Sequence, residues 1–236
     1  MELPPFVLRE SVYSAGLRLA RHAHDYSNVT VIVGGEIDES TPDGEHRGRA
    51  FSVVFKPAGC EHENRVGRDG ARTLVIEMRG DAGGGWAWFE EPCVVRAAIA
   101  LVRSRAEDCA RALLAEVLVG RASARPVPPS WLPDVTAMLD ARFAEPLRFD
   151  ALARQLGLHP VYLSRAFQRY TGRTMQAYVR TLRLRHARHL LSASSRSITA
   201  IAADTGFADS SHLCRTFSEL LELTPSAYRG LARSSA

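Results

Sequence analysis

The first 80 residues alternate rather than cycle. Short apolar and β-branched runs are separated by Gly, Pro, Asp and Asn: FVLRESVYSAGLRLARH from Phe6, NVTVIVGGEI from Asn28, RAFSVVFKPAG from Arg49 and RTLVIEMRG from Arg72. A side-chain period of two, broken by turn residues, predicts strands and hairpins. From Cys93 the period changes. Val95, Ala98 and Val102, then Cys109, Leu113 and Val117, recur every three or four residues, which predicts one long helix or two short ones over 93–119. GRASARPVPPS at 120–130 follows neither period, and its three prolines among small and basic residues suit a linker. From Trp131 on, the pattern is helical in PDVTAMLDARF, RFDALARQLG, PVYLSRAFQRYTG, TMQAYVRTLRLRHARHLLSAS, SITAIAADTG and SSHLCRTFSELL. The expected class is therefore α+β with two domains: a strand-rich domain over 1–90, a helical segment over 91–124, a linker at 125–131 and an all-α domain over 132–233.

The helical third repeats itself. Leu152, Ala153, Gly157 and Leu158 match Ile201, Ala202, Gly206 and Phe207 at an offset of 49. After one inserted residue, Leu163, Arg165, Phe167, Thr174 and Tyr178 match Leu213, Arg215, Phe217, Thr224 and Tyr228 at an offset of 50. The small alanine lets two helices approach, and the glycine tolerates the positive φ of a tight turn. Leu and Phe at i and i+4 point into a core, so the arginine between them lies on another face, toward solvent. That is a helix-turn-helix, whose second helix enters a major groove and whose exposed arginine can pair with guanine O6 and N7. Charge agrees: residues 126–236 carry 14 arginines against 8 acidic residues, while residues 1–125 carry 16 basic against 18 acidic ones.

On these residues, 132–230 resembles the C-terminal domain of the AraC/XylS transcription regulators. The resemblance implies two helix-turn-helix units joined by a long helix, roughly Met175 to Leu191, about 25 Å at ~1.5 Å per residue. The two reading helices would then reach successive major grooves ~34 Å apart. It implies base-reading roles for Tyr162, Ser164 and Arg165 in the first unit, and for Ser211, His212 and Arg215 in the second. Ser210 and the helix N-termini would hold phosphate, with Arg169 and Arg173 as further phosphate contacts. The implied partners are double-stranded operator DNA at a promoter, RNA polymerase and an effector. Two positions depart from the family pattern. His159-Pro160 opens the first reading helix where a small capping residue is common, and Glu222 stands where the family often has glycine.

The strand-rich half carries its own chemistry. Gly16 precedes His22-x-His24, and Pro57-x-Gly59-x-x-His62 follows later. These resemble the two motifs of the cupin β-barrel, in which two early histidines, a Glu and a later His converge on a metal. Imidazoles suit a divalent ion such as zinc or nickel. The Glu position falls at Asn28, a poor ligand, so the expected metal or ligand pocket is His22, His24, Asn28 and His62. The four cysteines, Cys60, Cys93, Cys109 and Cys214, are scattered without a CxxC pair, which fits neither a zinc ribbon nor a disulfide scaffold. No apolar run approaches a membrane span and no secretory leader is read, so a cytoplasmic, non-membrane protein is expected. The stripe over 93–119 forms either a homodimer contact or packing on the chain's own strands. The leading expectation is a non-enzymatic, AraC-type regulator with a cupin-like sensor for a small molecule or metal. A cupin metalloenzyme with a helical appendage and an effector-independent DNA binder are the alternatives.

Overall fold

The computed structural model describes residues 3–41, 44–80, 82, 83, 85–122 and 129–234. The chain divides into two compact units, Met1–Ala122 together with Glu219–Ala236, and Ser123–Ser218.

The first unit is built on two long strands, β3 (Ser27–Thr41) and β6 (His62–Met78), paired antiparallel along most of their lengths. Both bend in the middle. Gly35 (φ +75) and Gly70 (φ +77) sit where the strands cross, and a Cβ on Gly35 would lie 2.0 Å from the Gly70 carbonyl oxygen. Only glycine fits so close an approach. The bend creates two wings. One carries β1 (Phe6–Tyr13) on β6, with β5 (Val53–Lys56) and then β7 (Ala87–Phe89) on β3. The other carries β2 (Arg18–His22) on β6 and β4 (Gly44–Gly48) on β3. The wings meet through Ile32, Ile37, Val66 and Ala71, with Tyr13, Leu17 and Trp88 packed against them.

Helices α1 (Pro92–Ser104) and α2 (Glu107–Ala122) pack on each other, and α1 also meets β5. The apolar stripe over 93–119 thus forms two helices, broken at Arg105, which turns left-handed (φ +56) as its N–H donates to the Leu101 carbonyl. Val95, Ala98, Leu113 and Val117 are buried within the chain.

The second unit begins with α3 (Leu132–Arg142), α4 (Phe149–Gln155), α5 (Pro160–Thr171) and α6 (Met175–Ala193). Val135, Leu139, Leu152, Ala153, Leu163, Phe167, Met175, Val179 and Leu182 form one buried cluster. After α6 come α7 (Ile198–Asp204), α8 (Ser210–Leu221) and α9 (Pro225–Ser234). The repeated positions Ile201, Ala202, Phe207, Leu213 and Phe217 are buried like their counterparts in the first copy. The α3–α4 connection ties the two copies together. Arg183 on α6 donates to the Phe143 and Glu145 carbonyls at 2.7 and 2.9 Å, and Gly206 (φ +76) leaves room for a Cβ only 2.5 Å from the Ala144 oxygen.

One boundary lies elsewhere than the sequence reading put it, and another lies partly outside the described residues. The helical region expected over 132–233 divides inside α8, so that α9 packs with the strands. The linker expected at 125–131 falls partly at 125–128, outside the described residues.

Candidate nucleic-acid interface and histidine cluster

Helix α5 starts as its sequence requires. Pro160 takes the first helical position, and His159 stands in for the usual small cap by accepting the Val161 N–H on Nδ1 at 3.3 Å. Leu163, Ala166 and Phe167 are buried, which turns Tyr162, Ser164, Arg165 and Arg169 outward. Tyr162 is 51% exposed although its ring meets Trp131 edge-on at 6.2 Å. The Arg169 guanidinium lies 5.9 Å from the Tyr170 ring. Arg173, just past the helix, is half-buried and less free to reach a phosphate than the others.

Helix α8 repeats the design with an acidic cap. Asp209 Oδ1 accepts the His212 N–H at 2.7 Å. Leu213, Thr216 and Phe217 are buried, and Ser211 and Arg215 are exposed. Ser210 is half-buried at the N-terminus, where backbone N–H groups and the helix dipole favour an anion. His212 is also half-buried, its ring edge-on to Phe207 at 5.3 Å, so one face is committed to packing.

In the strand unit, His22 and His62 are opposite each other across β2 and β6, and His24 follows directly after β2. Their ring centroids lie 4.3 Å (His22–His62), 5.1 Å (His22–His24) and 5.4 Å (His24–His62) apart, with one nitrogen of each within 4.8 Å of the others. Backbone carbonyls fix two of the tautomers. His22 Nδ1 lies 2.8 Å from the Ala20 oxygen and His62 Nδ1 3.2 Å from the Cys60 oxygen. A carbonyl only accepts, so each Nδ1 carries the proton and each Nε2 offers a lone pair. His62 Nε2 is buried without a protein partner. Burial, then the Lys56 ammonium, pushes His62 down to about 4, and burial lowers His24, which keeps both neutral near pH 7.

Asn28, expected near the histidines, is buried on β3, and its Oδ1 accepts the Thr30 hydroxyl at 2.9 Å. Cys60 contributes its carbonyl to the cluster. Sequence reading missed the groups beside it. Lys56, buried on β5, pairs with buried Glu39 of β3. Its ammonium lies 5.2 Å from the Trp86 ring, whose other neighbour is His62 at 5.1 Å. Glu39 Oε2 and Trp86 Nε1 are buried without partners. A signal existed: Lys56 is the only lysine in a chain of 30 basic residues.

Residues 152–230, which hold both helix pairs, match the helix-turn-helix domain family. The regulatory protein PocR of Salmonella typhimurium is 37% identical over 91 residues, which are 39% of this chain and 30% of PocR. The transcriptional activator RhaS of Escherichia coli strain SE11 is 40% identical over 89 residues, 38% of this chain and 32% of RhaS. A solved regulator with an AraC-type DNA-binding domain, from Chromobacterium violaceum, is 30% identical and matches 44% of this chain and 94% of its own, with a TM-score of 0.42. Over these residues the C-terminal part of the chain is similar to the regulators PocR and RhaS. The chain spans about a third of the length of the curated relatives it matches. Among the described residues, no helix is long and apolar enough to cross a membrane.

Proposed function

We propose that the protein is a sequence-specific transcription regulator that binds operator DNA through α5 and α8, under the control of a ligand held in a cupin-like strand domain. The observation that carries the DNA reading is the duplication. Two helix pairs bury the same Leu and Phe and expose the same arginine, Arg165 in one and Arg215 in the other. Nothing in the packing of either core requires an arginine there, whereas a guanidinium on an exposed reading helix has a function in a major groove. The test uses the full chain and duplex DNA from upstream of its own gene. Binding should be site-selective and should weaken steeply with added salt as counterion release loses its drive. Weak binding that treats all sequences alike would refute the assignment.

For the control site, the residues fit a divalent ion. His22, His24 and His62 would hold it through neutral imidazoles, and the orphaned His62 Nε2 is the atom such a group would satisfy. Zinc or nickel suits an all-nitrogen set. A bound ion would supply a cross-link between the end of β2 and the start of β6. An organic effector beside Lys56, Glu39 and Trp86 is the second reading, favoured by the unpartnered Glu39 Oε2 and Trp86 Nε1.

A further inference from the structure

Helices α5 and α8 share their buried Leu and Phe and their exposed arginine, yet their first turns differ in chemistry. At the offset of 50, Pro160-Val161-Tyr162 corresponds to Ser210-Ser211-His212. Every residue of the second triplet carries a polar side chain, whereas the first triplet has the tyrosine hydroxyl alone. In the helical unit, Ser123–Ser218, the large apolar side chains left exposed among the described residues are Val161 and Tyr162, each at 51%. Tyr162 is braced by the edge of Trp131. Val161 belongs neither to the buried cluster around Leu163 and Phe167 nor to the partly buried shell packed against it.

A β-branched residue loses side-chain freedom in a helix, and an exposed one recovers nothing by burial. Packing within the chain therefore gives no reason for Val161. The start of α5 is also poor in donors. Pro160 has no N–H, and the Val161 N–H goes to His159 Nδ1 at 3.3 Å. Such a tip suits a phosphate less well than the start of α8, where Ser210 and Ser211 bring hydroxyls. In a major groove, the apolar group that base edges present is the C5 methyl of thymine.

Position agrees with this chemistry. Val161 and Arg165 stand at i and i+4, so they share one stripe of the helix with their Cβ atoms roughly 5–6 Å apart. Successive bases of a strand rise ~3.4 Å, which puts the isopropyl group within about two base steps of the base that the guanidinium meets. Ser211 stands in the same relation to Arg215, but its hydroxyl both donates and accepts and needs no methyl.

We propose that Val161 reads a thymine methyl within about two base pairs of the guanine read by Arg165, and that the half-site of α8 has no such requirement because Ser211 replaces the valine. The operator is then asymmetric: each half holds a guanine, and one half also a fixed thymine. The inference rests on the reading of α5 as a DNA-recognition helix.

The experiment begins by selecting bound duplexes from a random pool with the full chain. The guanine whose replacement ceases to matter in Arg165→Ala locates the half-site of α5. Each thymine of the selected site is then replaced singly by uracil, which deletes the methyl and keeps every hydrogen-bonding group. Affinity is read by fluorescence anisotropy for the parent and for Val161→Ser, a change at an exposed position. One uracil beside that guanine should weaken the parent about three- to tenfold, the range for one buried methyl group. Val161→Ser should bind the thymine and uracil duplexes alike, as tightly as the parent binds the uracil one. Uracil in the half-site of α8 should weaken neither protein. A parent indifferent to every uracil, or losses that simply add, overturns the methyl reading and leaves the DNA reading standing. A pool without a preferred sequence, or without a guanine that depends on Arg165, removes the reading of α5 and this inference with it.

Discussion

Arg165 and Arg215 each stand two residues after a fully buried leucine and two before a fully buried phenylalanine, which leaves them no direction but outward. Each substitution to alanine should reduce affinity for a specific operator by ~1–3 kcal/mol and relax the sequence preference locally. Competition between matched and mutated half-sites measures both effects, and a uniform loss across sequences would reassign the residue to phosphate. His186 sets a different residue-scale expectation. Its ring stacks on Phe143 at 3.9 Å, and burial, with Arg185 and His189 nearby, pushes it down to about 4. In the unfolded chain a histidine titrates near ~6.5. Between those values the unfolded state binds the extra proton, so stability is full above ~6.5 and falls as the pH drops toward 4. His186→Phe keeps a stacked ring and cannot titrate. The melting temperature of this variant should fall less than that of the parent over this range, and parallel curves would remove His186 as the cause.

At the scale of elements, the two helix pairs differ in how tightly their turns are enclosed. Gly157 and Gly206 are both left-handed, at φ +67 and +76, but only Gly206 has a neighbour, the Ala144 carbonyl, inside the space of a Cβ. Alanine at either position incurs a backbone penalty of ~1 kcal/mol or more. Gly206→Ala should lose a further ~1–3 kcal/mol because the α3–α4 connection must move. Urea unfolding of the two variants side by side measures the difference, and equal losses would mean that the connection yields freely. The start of α8 is equally specific. Asp209→Ala removes the side-chain cap on the His212 N–H and should cost ~1 kcal/mol. DNA affinity should fall with it, since Ser210 and Ser211 occupy the turn that would fray.

At the scale of the molecule, the histidine cluster joins segments 40 residues apart in the chain, His22 and His62. If it holds an ion, zinc or nickel added to the full protein should raise its melting temperature, with ~2.7 kcal/mol of stabilisation at a hundredfold excess over Kd. His22→Ala and His62→Ala should abolish that shift while the chain still folds. An untagged protein that carries no metal and melts unchanged with added zinc and nickel would return the histidines to the lining of an organic-ligand pocket. The screen would then turn to molecules that meet Lys56, Glu39 and Trp86.

The sequence by itself determined whatever depends on neighbours a few residues apart. Helical period, the repeat, the glycine turns and the outward arginines all follow from i to i+4 geometry, and α3 to α8 appear within a residue or two of their predicted spans. Strands were legible where their inward positions are apolar, as in Val29 and Val31 or Leu74 and Ile76. The first half of β6 was not, because its inward residues include His62 and Asn64 and its outward ones are charged, so no apolar alternation remains. Short, charged β4 and three-residue β7 gave no period either. Only the tertiary structure decided what meets across the chain: the bend at Gly35 and Gly70, the burial of Lys56 against Glu39, the three imidazoles in one cluster, and Tyr228 on the Ala50–Phe51 turn. The reason is physical. Local patterns are written by steric and solvation preferences of adjacent residues, whereas a buried polar contact exists only once distant segments have excluded water together.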